Sequence, residues 1–298
     1  MSASSALSAD LPRGEGPART PVSWEGFVES GGIRWFVRRE GRGPVLLLLH
    51  GTGSSSDSWR HLIPLLAQHF AIVAPDLPGH GRTSPVPRGP SSLPVMARAA
   101  ARLMSDLRQE PRFIAGHSAG AAISAQMVLG GSPSVKRMAW IAGALTPFSG
   151  LAGLIAPSLA RVLSRSGLLP PLVAWSARSG DGVRRMIART GSAADDEAVE
   201  TYRALLRRPS HVAGALAMMA HWDLAGLSKA LPSIATPVLL VHGERDLVVP
   251  VRQSDAVAAR LAAARVERLQ GLGHLAHEEQ PRRVADGLLS WFGADAMT

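Results

Sequence analysis

The sequence predicts an α/β fold, in which a mostly parallel, doubly wound sheet of about eight strands carries an inserted helical lid. Three observations lead to this prediction. Short apolar runs such as residues 44–49, PVLLLL, recur along the chain and suit strands that are buried on both faces of a parallel sheet. Segments with the length and spacing of helices lie between these runs. One long stretch, residues 147–232, has helix-like segments but no strand-like run, which indicates an insertion.

The individual elements follow from these patterns. Strands are predicted over residues 33–39, 44–49, 70–74, 112–115, 138–142, 237–241 and 266–269. Helices of the core are predicted over residues 58–69, 93–108, 119–129, 251–264 and 275–292, and helices of the insertion over residues 154–163, 183–190, 195–207 and 211–219.

The chain divides into a tail, a core and a lid. Residues 1–20 are small and polar and lack a cationic start followed by an apolar run, so we expect a loose tail and no secretory signal. Residues 21–146 and 233–298 form the predicted core, and residues 147–232 form a helical lid over the strand ends. Arg or Pro interrupts every apolar stretch before about 18 residues, so we expect no membrane-spanning helix.

Composition excludes several classes of function. The 298 residues are 46% hydrophobic and 18% charged, which is typical of a globular protein with a sizeable core. The sequence contains no cysteine, so disulfides, thiolate metal sites and a cysteine nucleophile are impossible. The formal net charge of +9 indicates either attraction to an anionic lipid surface or ligand, or, more simply, a coding bias. The basic residues are scattered, so we predict no nucleic-acid partner.

A nucleophile elbow is the strongest signal in the sequence. Gly116-His117-Ser118-Ala119-Gly120 follows a predicted strand and precedes a predicted helix, which is the context that gives G-x-S-x-G its meaning. The sharp turn exposes the serine oxygen and places the helix N-terminus behind the reacting centre. We therefore predict that Ser118 is a nucleophile.

A serine hydroxyl needs a base, and the base needs an acid, in the chain order Ser, acid, His. His274 follows two glycines after the last predicted strand and is the predicted base, with His277 as its rival. Asp246 lies just beyond the strand at residues 237–241 and is the predicted acid, with Glu244 as the alternative. The loop at residues 142–146, where some relatives carry the acid, has no carboxylate.

Acyl transfer also requires donors for an oxyanion. The predicted donors are the backbone N–H groups of Ala119 and Thr52, the latter in the loop after PVLLLL. We expect His50 to support that loop. Asp76 and His80 are expected to stabilise the loop after residues 70–74, and the alternative is that Asp76 acts as an acid or His80 as a base. The histidines show no metal-like spacing and no phosphate-binding loop is present, so no cofactor is predicted.

These motifs together resemble the α/β-hydrolase superfamily over nearly the whole chain after the tail. Ser118 fills the elbow, which excludes the aspartate nucleophile of epoxide hydrolases and haloalkane dehalogenases. A narrower resemblance, to the BchO-type magnesium-chelatase accessory proteins of bacteriochlorophyll biosynthesis, is carried by the strings LLLLHGTGSSSDSWR, APDLPGHGRTS, GHSAGAAI, HVAGALAMMAHWDL and LQGLGHLAHEEQP. That resemblance implies a cytoplasmic or membrane-peripheral protein linked to magnesium insertion, with chelatase subunits as partners, and does not supply a reaction.

The lid is expected to set the choice of substrate. Its Leu, Ala, Met and Pro content favours an apolar pocket that adapts to its ligand. The predicted substrate-binding residues are Trp175, Met186, Met218, Met219 and Trp222. The alternative for each of them is that it packs the lid onto the core. Likewise, residues 151–175 mix apolar side chains with arginines and either rest on a membrane surface or form a plain solvent-facing helix.

Three functions remain in view. The first is a serine esterase that cleaves a hydrophobic ester or thioester through an acyl-enzyme on Ser118. The second is a non-catalytic accessory protein that binds a tetrapyrrole or chelatase subunits through the lid. The third uses the same triad for carbon–carbon bond hydrolysis or perhydrolysis. An intact triad favours a working enzyme.

Overall fold

An eight-stranded sheet organises the part of the chain that the computed structural model describes, residues 22–132, 134–147 and 180–296. Its strands are β1 Val22–Ser30, β2 Ile33–Gly41, β3 Val45–Leu49, β4 Ala71–Pro75, β5 Phe113–His117, β6 Arg137–Ile141, β7 Val238–Gly243 and β8 Ala264–Leu269. The order across the sheet is β1-β2-β4-β3-β5-β6-β7-β8. Strands β3 to β8 pair in parallel, whereas β1 and β2 are antiparallel. The predicted α/β fold with a mostly parallel sheet is confirmed.

The first strand was not predicted, and its sequence explains why. Val22–Ser30 is an edge strand whose residues alternate between half-buried and exposed positions until Val28, so it lacks the continuous apolar run of the central strands. Pairing with β2 runs from Val22 opposite Gly41 to Ser30 opposite Ile33. The period-two alternation of a half-buried strand was the available signal.

The central strands are buried on both faces because layers of helices cover the sheet. Along β3, Leu47 and Leu49 belong to one buried cluster, and Leu46 and Leu48 belong to the other. Successive side chains of a strand point to opposite faces, so continuous apolar runs are what a doubly covered sheet requires.

Helices connect the strands and cover the sheet. Those of the core are α1 Ile63–Leu66, α2 Leu93–Asp106, α3 Ala119–Leu129, α8 Arg252–Ala258, α9 Ala276–Glu279 and α10 Pro281–Ala296. Between β6 and β7, the described residues form α4 Gly180–Ala188, α5 Asp196–Leu206, α6 Pro209–Ala220 and α7 Ala225–Ala230, which we call the cap segment. No helix in the described ranges is long and apolar enough to cross a membrane.

Three predicted core helices were too long. Residues 58–69 form only a 3-10 turn, Ser56–Trp59, and the one-turn helix α1. The helix predicted over residues 251–264 ends at Ala258, six residues before β8 begins. The C-terminal helix is divided into α9 and α10, and Pro281 is the first residue of α10, where its missing N–H costs no hydrogen bond. The predicted helix at residues 154–163, the tail and Trp175 lie outside the described residues.

The cap segment is seated on the core at a crossing of two glycines. A side chain on Gly214 of α6 would overlap the carbonyl of Gly79, in the loop after β4. Gly79 itself has a φ of +79°. Two backbones therefore touch here with no side chain between them, because only glycine permits so close an approach.

Strand β5 leads into the elbow, and the packing of its side chains in the core can be tested. Phe113 is fully buried, with its ring centroid 5.6 Å from that of Phe70 and 4.9 Å from that of Phe292. We expect Phe113→Ala to lower the free energy of unfolding by about 3–5 kcal/mol, because it removes an aromatic ring from a packed core. Urea titration followed by circular dichroism measures this. Phe27→Ala, at a partly exposed ring on the edge strand, should cost about 1 kcal/mol or less, and equal losses for the two variants would contradict the assignment of Phe113 to the core.

Candidate active site

Ser118 occupies a strained turn between β5 and α3. Its backbone has φ +50° and ψ −112°, a combination that L-residues avoid. Hydrogen bonds fix the turn on both sides: the Ser118 N–H donates to the Ile141 carbonyl at 2.9 Å, and the Ala144 N–H donates to the Ser118 carbonyl at 3.1 Å. The side chain remains partly accessible to solvent. The turn therefore holds a hydroxyl at the carboxyl end of a central strand.

Two glycines make the turn sterically feasible. A Cβ on Gly120 would overlap the Leu49 carbonyl oxygen of the neighbouring strand β3. A Cβ on Gly116 would come within 2.5 Å of the Ala121 nitrogen in the first turn of α3. Close packing of strand, helix and neighbouring strand is thus what the two glycines of the motif provide.

The predicted acid and base lie in hydrogen-bond contact. His274 Nδ1 is 2.8 Å from Asp246 Oδ2, and both side chains are buried. Since a carboxylate only accepts, the proton lies on Nδ1 and leaves Nε2 free to act as a base. The N–H groups of Val248 and Val249 donate to Asp246 Oδ1 at 2.8 and 2.9 Å. Glu244, the alternative acid, is exposed.

A second histidine, His242, which the sequence analysis did not predict, also contacts Asp246. His242 Nε2 lies 2.7 Å from the Val249 carbonyl and 3.1 Å from Asp246 Oδ2, so it carries the proton and shares it between them. The Ser254 hydroxyl then donates to Nδ1 at 2.6 Å. Burial alone raises the pKa of Asp246, but the hydrogen bonds from His242 and His274 outweigh it and lower that pKa to about 2. The signal was a histidine at a strand end, four residues before the acid.

The two predicted oxyanion donors flank the serine. Thr52 and Ala119 lie beside the turn, and a Cβ on Gly51 would come within 3.2 Å of the Ser118 Cβ, so the Thr52 loop packs against the nucleophile. Within the described ranges, neither the Thr52 N–H nor the Ala119 N–H donates a hydrogen bond. The Thr52 hydroxyl donates to Met218 Sδ at 3.6 Å, which connects the loop with helix α6.

Buried polar side chains support the loops around this site. His50 Nδ1 donates to the Gly51 carbonyl at 2.8 Å, and His50 Nε2 accepts from the Leu77 N–H at 2.8 Å. Burial lowers the pKa of His50 to about 4, so the ring is neutral. Asp76 Oδ1 accepts from the Ser56 N–H at 2.7 Å. His50 and Asp76 therefore have the supporting roles that the sequence predicted.

A histidine of the cap segment joins the same two loops. His211 Nδ1 accepts from the Gly81 N–H at 2.9 Å, and His211 Nε2 donates to the Gly53 carbonyl at 3.2 Å. Its ring lies 5.5 Å from that of His80. Burial lowers the pKa of each of these two rings to about 3, so both are neutral. The motif string that begins at His211 thus contributes a structural contact with the Thr52 loop.

Two further histidines, His117 and His277, are buried near His274 as uncharged rings. His117 Nε2 donates to the His274 carbonyl at 3.0 Å and so connects the residue before Ser118 to His274. His277 lies 4.5 Å from His117 and 4.7 Å from Trp59, measured between ring centroids. Neither nitrogen of His277 has a hydrogen-bond partner among the described residues. His277, the rival base, is therefore a buried packing residue.

The residues predicted to bind substrate have different surroundings. Met218 of α6 is fully buried against the Thr52 loop, and Trp222 is half-buried against the core. Met186 and Met219 are exposed on α4 and α6. Trp175 lies outside the described residues. Only Met218 has a described contact with a predicted oxyanion residue.

Comparisons with known proteins agree on the fold. The model of the alpha/beta hydrolase fold family matches residues 44–281. The magnesium-chelatase 30 kDa subunit of Rhodobacter capsulatus is 38% identical over 96% of this chain and 98% of its own length. The pimeloyl-[acyl-carrier protein] methyl ester esterase of Methylococcus capsulatus is 28% identical over 84% of this chain and 96% of its own. An alpha/beta hydrolase fold protein from Burkholderia ambifaria superposes with a TM-score of 0.76 at 22% identity, over 91% of this chain and all of its own.

His277 is buried as an uncharged ring, so the stability of the protein should depend on pH. Burial lowers the pKa of His277 to about 3 from its ordinary value of 6.5. Between these values the unfolded chain binds a proton that the folded chain does not, so stability falls as the pH falls through this range. We expect His277→Leu to reduce that loss by on the order of 4 kcal/mol.

Urea titrations of the wild type and the variant across this pH range measure the effect. His69→Leu, at an exposed position, is the matched control and should leave the pH dependence unchanged. Parallel curves for wild type and His277→Leu would show that His277 is not buried as a neutral ring.

Proposed function

The chain belongs to the α/β-hydrolase family, and on that premise we propose that it is a serine hydrolase of the carboxylesterase type. Its substrate class is a hydrophobic ester or thioester, cleaved through an acyl-enzyme on Ser118. The observation that carries this proposal is the strained, partly accessible Ser118 at φ +50°, together with the buried His274–Asp246 pair at 2.8 Å. Asp246 and His274 follow the carboxyl ends of other strands in the same sheet, and a turn with a purely structural role would not require such a buried pair.

Each proposed role follows from the contacts. Ser118 Oγ attacks the acyl carbon while His274 Nε2 takes its proton, and Asp246 stabilises the imidazolium that forms. The N–H groups of Thr52 and Ala119, which have no described acceptor, bind the negative charge that develops on the carbonyl oxygen. His274 then protonates the leaving group and activates a water for deacylation.

The substrate class rests on two kinds of support. The apolar side chain of Met218 in the cap segment, which contacts Thr52, suits an apolar acyl or alcohol group. The Methylococcus capsulatus relative is named for the hydrolysis of a methyl ester. Carbon–carbon hydrolysis and perhydrolysis use the same triad, and a substrate panel separates them from ester cleavage.

A second candidate is favoured by the Rhodobacter capsulatus relative, which is named as a magnesium-chelatase subunit and matches nearly end to end. On that likeness, this chain would assist magnesium insertion in bacteriochlorophyll biosynthesis by binding a tetrapyrrole or chelatase subunits.

The nucleophile can be tested without knowing the substrate. We expect a fluorophosphonate probe to label the wild type and not Ser118→Ala, because only an activated serine with an oxyanion site reacts with it. Gel fluorescence and intact mass measure the labelling. If the folded wild type stays unlabelled, the serine-hydrolase proposal fails. Quenching of protoporphyrin fluorescence by the same protein then tests the tetrapyrrole alternative.

The acid can be identified by a pair of variants. We expect Asp246→Asn to lower kcat for p-nitrophenyl esters by about three to four orders of magnitude, because an amide does not fix the His274 tautomer or stabilise its cation. Glu244→Gln, two residues away at an exposed position, should stay within about twofold of the wild type. The reverse order of the two variants would assign the acid to Glu244.

A further inference from the structure

A short turn of the cap segment lies against both loops that carry the acid and the base. The carbonyl of Thr190, just after α4, accepts from the Leu247 N–H at 3.2 Å and from the His274 N–H at 3.3 Å. One oxygen thus bonds the residue after Asp246 and the base itself. The two loops follow the paired strands β7 and β8, and the Arg245 N–H donates to the Leu272 carbonyl at 2.8 Å, so the Thr190 carbonyl adds a link from the cap segment to two loops that already contact each other.

The next residue of the turn is interlocked with the residues that precede the acid and the base. A Cβ on Gly191 would overlap the Arg245 carbonyl oxygen, next to Asp246. A Cβ on Gly273, next to His274, would overlap the backbone of Gly191. Gly191 also has a φ of +82°, which disfavours any other residue. The turn therefore fits into the gap between the two loops with no room to spare.

Side-chain hydrogen bonds complete the contact. The buried Ser192 hydroxyl accepts from the Leu275 N–H at 2.8 Å. Glu279 of α9 accepts from the Gly273 N–H at 2.8 Å and from the Ala193 N–H at 3.0 Å. Every backbone N–H from Gly273 to Leu275 is thus held by the turn or by the carboxylate that also holds the turn.

The cap segment and the base also share a small apolar core. Leu275, the residue after His274, is buried with Val183 and Ile187 of α4. Tyr202 of α5 belongs to the same cluster, and its hydroxyl donates to Glu278 of α9 at 2.7 Å. A shift of α4 or α5 would therefore move the loop that carries the base.

We propose that Thr190, Gly191 and Ser192 form a clamp that positions Asp246 and His274 for catalysis and couples the seating of the cap segment to the rate of the chemical step. The clamp residues touch no reacting atom and act only through the loops that they bridge. Positioning of this kind governs turnover more than binding, because small displacements of a base lower the rate steeply. The inference rests on the proposed serine-hydrolase function.

The test compares two glycine substitutions in the cap segment. We expect Gly191→Ala to lower kcat for p-nitrophenyl acetate by about 10- to 100-fold with KM changed by less than about threefold. Gly226→Ala, where an added Cβ meets nothing within 4 Å, is the matched control and should retain wild-type kcat. Equal kcat values for the two variants, measured well below their melting temperatures, would overturn the proposal.

A second pair keeps the proposal testable if Gly191→Ala fails to fold. Ser192→Ala removes the acceptor for the Leu275 N–H, whereas Ser192→Thr keeps a hydroxyl. We expect the alanine variant to lose kcat by about tenfold and the threonine variant to recover most of it. A purely structural role would lower the melting temperature of the alanine variant and leave its kcat unchanged, and that result would also overturn the proposal.

A spectroscopic readout separates this proposal from the proposed function. The downfield proton of His274 Nδ1, bonded to Asp246, gives an NMR resonance that can be assigned by its absence from His274→Ala. We expect it in the wild type and in Gly226→Ala, and its loss or broadening in Gly191→Ala. An unchanged resonance in Gly191→Ala would overturn the clamp even if the protein is an esterase. A wild type that cleaves no ester would defeat the proposed function, and the resonance would still decide whether the clamp exists.

Discussion

The backbone at Ser118 adopts a conformation that costs on the order of 1–3 kcal/mol, and the surrounding structure is arranged to maintain it. Backbone hydrogen bonds with Ile141, at the end of β6, and with Ala144, just after it, hold the turn, and glycines on either side allow β3, β5 and α3 to approach at backbone distance. The continuous apolar strands have a role in this, because a sheet buried on both faces resists the small shifts that would relax the turn. The Ser118 hydroxyl is thus presented by a turn that is packed between buried strands and a helix.

His274, in contrast, is on a loop whose position depends on distant parts of the chain. His274 is bonded through its side chain to Asp246, through its N–H to Thr190 and through its carbonyl to His117. Its neighbours His117 and His277 are held neutral by burial, which places no competing positive charge beside the base. Strand, loop and cap segment each contribute one constraint, and no single element defines the geometry.

This difference explains what the sequence could and could not predict. The elbow was predictable because its strand, turn, glycines and helix are contiguous, and the contact between Asp246 and His274 was predictable from their places after two strands. The edge strand Val22–Ser30 has no continuous apolar run because four of its nine residues are polar, and the apolar spacing of residues 58–69 resembles that of one helix although the segment forms two short turns. The local signal for His242 was only its place at a strand end, four residues before Asp246. The Thr190 turn could not be found from local pattern, since its contacts are made by backbone atoms with residues distant in sequence.

The contact between Gly79 and Gly214 sets a rule for recombining this protein with its relatives. Two backbones that touch without a side chain between them leave no tolerance for a different residue on either partner. A chimaera that takes helix α6 from one parent and the loop after β4 from another would keep this contact only if the first parent has glycine at position 214 and the second has glycine at position 79. Breakpoints for domain exchange should therefore lie outside the segment from Gly79 to Gly214, so that the loop and helix α6 come from the same parent.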